Sequence, residues 1–110
     1  MFGFKERVQE ETKSVEQITM EKLRKILELL DKGVTYIDIS ISEIDDCNRY
    51  IKQLSPLQQS KVSMYWDGGV LGMITSLKQF AAIPNMKATM AGSLIPNIRT
   101  HVLNTLNALS

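Results

Sequence analysis

Thr35-Tyr-Ile-Asp-Ile-Ser-Ile-Ser-Glu-Ile-Asp-Asp-Cys-Asn-Arg-Tyr-Ile-Lys-Gln-Leu54 decides the fold of this chain, because the same stretch supports two readings. Ile37, Ile39 and Ile41 alternate with Asp38 and Ser40, the period-two pattern of a strand. Thr35 and Asp38, however, also form a helix-capping pair. Ile37, Ile41, Ile44, Asn48 and Ile51 then recur at spacings of 4, 3, 4 and 3, a helical heptad rhythm. The alternation covers about five residues and the heptad rhythm about fifteen, so length favours a helix over residues 36–54. A lone strand would also lack a partner in a chain whose other segments read as helix.

Outward toward the N-terminus, Ser14 and Gln17 make a capping box. Val15, Ile18, Leu23, Ile26, Leu27 and Leu30 follow as one apolar stripe, which predicts a helix over residues 14–32 ended by Gly33. Glu21 with Lys25 and Glu28 with Lys32 are expected as ion pairs along it. Phe4 and Val8 fall in register with Val15, which allows an earlier start. The link at Gly33 is so short that the two helices should form an antiparallel hairpin.

Outward toward the C-terminus, Ser55, Pro56 and Gln58 mark a helix start. That helix should run to about Trp66 and break at Asp67-Gly68-Gly69. Val70, Ile74, Leu77 and Ala81, with Phe80 beside them, predict the next helix over 70–81. Residues 82–87 resemble residues 94–99, and each copy carries a proline suited to open a helix. Helix starts are expected at Pro84 and Pro96, with a break at Gly92-Ser93. Ile98, Val102, Leu106 and Leu109 line the last helix. The expected fold is all-α: an irregular bundle of four to six helices built on an N-terminal antiparallel helical hairpin, in one domain over residues 1–110.

Charge is unevenly spread. All 12 acidic residues lie between Glu6 and Asp67, and residues 68–110 carry only Lys78, Lys87 and Arg99. A charged front (1–67) therefore joins a charge-poor rear (68–110). The net charge of +1 supplies no basic stripe for nucleic acid. With 44% hydrophobic residues the chain is not compositionally disordered. The single cysteine, Cys47, forms no intrachain disulfide and suits a cytoplasmic setting. The N-terminus has charges with no apolar run after them and does not read as a secretory signal. The uncharged runs 88–98 and 100–110 are shorter than the roughly 20 residues of a membrane span.

No catalytic, cofactor or metal motif emerges. His101 and Cys47 are the only residues of their types, and a nucleophilic pair requires their contact plus a third group to orient the base. Asp38, Glu43, Asp45 and Asp46 lack the glycine and alternating ligands of a calcium loop and read as a solvated face. Phosphate loops, dinucleotide turns and zinc spacing are absent. The candidate interface residues are Trp66, an aromatic of the kind that anchors interfaces or cores, and Asn48, which interrupts an isoleucine stripe and is able to set helix register. Leu71, Met73 and Leu103 join them as apolar residues off the main stripes. These features predict a non-enzymatic helical protein-interaction module, a homodimer or a subunit of a larger assembly. The alternative is a peripheral membrane protein that uses residues 2–8 and the weakly cationic, acid-free rear.

Overall fold

The fold is a computed structural model that describes residues 13–80, 83 and 85–110. The described residues are all-α. They comprise α1 (Val15–Asp31), a 3-10 turn (Val34–Tyr36), α2 (Ile37–Ile51), α3 (Pro56–Tyr65), a π-helical turn (Trp66–Leu71), α4 (Gly72–Gln79) and α5 (Met86–Leu109).

The ambiguous stretch is thus helical, and Ile39 shows why. A strand would place Ile37, Ile39 and Ile41 on one face. In α2, Ile37 is buried and Ile39 is 51% exposed. The buried face is Ile37, Ser40, Ile44, Cys47 and Ile51. Ile41 and Asn48 flank it, so the seam lies one residue off the isoleucine rhythm. Ser40 tolerates burial because its hydroxyl donates to the Tyr36 carbonyl at 2.9 Å. The Thr35 cap does not form. Thr35 lies in the 3-10 turn, and Tyr36 stands at the α2 N-terminus with no side-chain cap. Gly33, at φ 91°, turns the chain between the helices in a conformation that favours glycine.

Both serine caps form. Gln17 N–H donates to Ser14 Oγ at 3.1 Å, and Ser14 N–H donates to Gln17 Oε1 at 3.2 Å. Gln58 N–H donates to Ser55 Oγ at 3.3 Å, with Pro56 at the first helical position. The α1 ion pairs differ from expectation. Lys25 reaches Glu43 on α2 at 3.2 Å, and Glu21 accepts from Lys13 at 3.1 Å. Intrahelical pairs contribute only tenths of a kcal/mol, about 0.3–0.5, so a partner on a neighbouring segment readily displaces them. Lys22 bonds Asp46 at 2.5 Å. The pairs 22–46 and 25–43 both join α1 to α2.

Two expected breaks are absent. Gly68 and Gly69 do not end the helix, because the π-helical turn carries α3 into α4. Glycine costs a helix only about 1 kcal/mol, and the turn buries Trp66 and Val70 completely. Nor does Pro96 start a helix, and Gly92-Ser93 does not interrupt one: α5 runs from Met86 to Leu109 with Pro96 inside. The missing N–H and ring clash cost about 3 kcal/mol, which burial of Ile98, Val102, Leu106 and Leu109 offsets. The expected start at Pro84, the Ala81 position and the segment 2–8 lie outside the described residues. α5 packs against α1, α3 and the π-helical turn. One core cluster joins Leu23, Ile26 and Ile44 of the front to Ile74, Ile98 and Val102 of the rear.

Candidate functional site

Trp66 and Asn48, chosen separately from sequence, meet inside the protein. Trp66 is fully buried at the start of the π-helical turn. Its indole N–H donates to Asn48 Oδ1 at 2.9 Å. A buried indole requires such an acceptor, so Asn48 supplies a polar pin between α2 and the turn. The partner of Asn48 is a tryptophan of its own chain.

The next turn carries a second close approach. A Cβ built on Gly69 would lie 2.7 Å from Cγ and Nδ1 of His101, so only glycine lets the imidazole of α5 rest on this backbone. His101 Nδ1 is buried and has no hydrogen-bond partner among the described residues. Cys47 is wholly buried on the core face of α2, and desolvation pushes its thiol up to about 12. No hydrogen bond joins Cys47 to His101 among the described residues. A thiol held protonated in this way is a poor nucleophile.

The acidic face is engaged in ion pairs. Asp46 is bonded by Lys22 and Arg49, which hold its carboxyl below the ordinary range. Glu43 takes Lys25. All three cations of the rear reach back to front aspartates: Lys78 to Asp45 at 3.0 Å, Lys87 to Asp38, and Arg99 to Asp31 at 2.7 Å. The hydrogen bond that Arg99 donates to the Asp31 carboxylate raises the Arg99 pKa above its ordinary value. The described residues contain no group of three or more His, Cys, Asp or Glu able to hold a metal ion.

Leu71 and Met73 are half-buried against the core. Leu103 is 37% exposed on α5. At 3.6 residues per turn it points about 200° around the helix from His101, away from the π-helical turn. The five candidate residues therefore form no single patch. Among the described residues, the most exposed large apolar side chains are instead Met64 (76%) and Leu57 (68%), both on α3. With Lys61 between them they form an i, i+4, i+7 strip. Val62 and Trp66 take the opposite, buried face. Gly68 continues the strip one turn on, and a Cβ there would meet nothing nearer than the Ser63 carbonyl at 4.0 Å. The signal for this strip was present in the sequence: Val62, Trp66 and Val70 share one helical face, and Leu57 and Met64 cannot share it.

Comparison of the chain with protein-family models, with curated proteins and with solved structures finds no match in any of the three.

Proposed function

We infer that this chain is a non-enzymatic helical module that binds protein, as a homodimer or as a subunit of a larger assembly. The observation that carries the reading is the α3 strip, where Leu57 and Met64 stand 68% and 76% exposed on a helix whose other face already fills the core. Paired exposed apolar side chains on one helical face suit a helix-on-helix contact. The proposed frame is a single domain, an irregular bundle of four to six helices on the α1–α2 hairpin, with a cytoplasmic location. The membrane alternative draws no support from the rear cations, each of which is held by a front aspartate. No helix among the described residues is long and apolar enough to cross a membrane.

The test is solution mass by size-exclusion chromatography with light scattering, at two concentrations, for the wild type and for the double variant Leu57→Glu, Met64→Glu. Self-association predicts a wild-type dimer or larger species and a monomeric variant of unchanged helix content. A wild-type monomer at both concentrations removes the homodimer. A variant that still associates removes the α3 strip as its surface.

A further inference from the structure

The two halves of α5 are held very differently. Beyond Pro96, the helix buries Ile98, Val102, Thr105, Leu106 and Leu109. Before it, Ala91 alone is fully buried. Met90, Leu94 and Ile95 are only partly covered, and Met86 is 44% exposed. Pro96 lacks an N–H, so the Gly92 carbonyl loses its helical donor at the junction of the halves. Gly92 and Ser93 stand one turn earlier, a further place where helices bend. The N-terminal end is also weak: Asn85 sits at φ 65° and makes no side-chain cap.

Among the described residues, two attachments of the first half lie where α2 begins. Lys87 pairs with Asp38 in the first turn of α2. Gly92 lies over the 3-10 turn, close enough that a Cβ on it would stand 3.7 Å from Val34 Cγ2. An exposed ion pair, one buried alanine and the half-buried Met90, Leu94 and Ile95 are a smaller anchor than the five buried side chains beyond Pro96, since exposed pairs contribute about 1 kcal/mol or less.

We propose that residues 86–95 are a strap that opens about Pro96 while the rest of the fold stays intact. Detached, the strap is shorter than the roughly 12–15 residues an isolated helix needs, so it melts as it opens. Opening breaks the Lys87–Asp38 pair and uncovers Val34 beside Tyr36 and Ile39, which are already exposed. The open form thus presents a second apolar surface, at the end of the bundle where α2 begins and distinct from the α3 strip. The strap stands independently of the proposed self-association.

Native-state amide hydrogen exchange on the full chain, read at several low urea concentrations, tests this. Amides of residues 89–95 should exchange roughly 100-fold faster than those of 98–109 and depend little on urea, as a local opening requires. Equal protection with the same steep urea dependence would mean that the strap opens only with global unfolding, and overturns the proposal. Pro96→Ala restores the donor to Gly92 and should slow strap exchange by about tenfold or more; unchanged strap rates would remove Pro96 as the hinge. Val102→Ala should speed exchange in 98–109 and leave strap rates as they are, because Val102 stays packed in closed and open forms alike. Strap rates that rise in step with 98–109 would also overturn the proposal.

Discussion

Asn48 and Cys47 sit one residue apart on α2 and meet opposite demands. Asn48 accepts the Trp66 indole N–H, so its loss leaves a buried donor unpaired. Asn48→Ala should therefore cost about 1–3 kcal/mol in urea unfolding, and a change below about 0.5 kcal/mol would mean that the pin contributes nothing. Cys47 is a buried thiol whose pKa is raised from the ordinary 9.0 to about 12 by desolvation. The unfolded chain releases this proton near 9.0, and the folded chain keeps it until about 12. The stabilisation is therefore complete below the unfolded value and is lost as pH rises through the interval, at about 1 kcal/mol per pH unit. Stability measured from pH 8 to 11 should fall more steeply for the wild type than for Cys47→Ala. Parallel curves would show that the thiol ionises without penalty.

At the scale of elements, the π-helical turn separates two adjacent glycines by function. Gly69 lies under the His101 ring, and an added Cβ has no room at 2.7 Å. A Cβ on Gly68 would meet only the Ser63 carbonyl, at an ordinary contact distance of 4.0 Å. Gly69→Ala should destabilise the protein by about 1–3 kcal/mol through overpacking. Gly68→Ala should be neutral or stabilising by up to about 1 kcal/mol, since it removes backbone freedom from the unfolded chain. Thermal or urea unfolding of the two variants checks the contrast, and equal effects would deny the close approach of α5. In the His101→Ala background the Gly69→Ala penalty should largely vanish, because the clashing ring is gone.

For the whole molecule, the front and the rear share one core. One core cluster draws Leu23, Ile26 and Ile44 from the front and Ile74, Ile98 and Val102 from the rear. The three rear cations bind front aspartates across the same boundary. A fragment of residues 1–67 should therefore show much less than its share of the native helix signal by circular dichroism, with no cooperative melting. A cooperatively folded fragment would mean that the α1–α2 pair is a core in itself.

Several features were legible in the chain alone. The Ser14 and Ser55 caps are local, each completed within three residues, so composition at those positions was enough to predict them. The apolar spacing of α1, and of α5 from Ile98 onward, likewise follows from helical period. The asymmetry of charge was visible too, but its resolution was not, because Asp31, Asp38 and Asp45 meet their cations from 33 to 68 residues away. Local rules also predicted breaks at Gly68-Gly69 and Pro96, where both residues carry a helix penalty. Only tertiary packing decided otherwise. Trp66, Val70, Ile98 and Val102 bury enough surface on neighbouring helices to carry the backbone through positions that an isolated segment would not hold. The same packing turned Trp66 and Asn48 inward onto each other and left Leu57 and Met64 facing out.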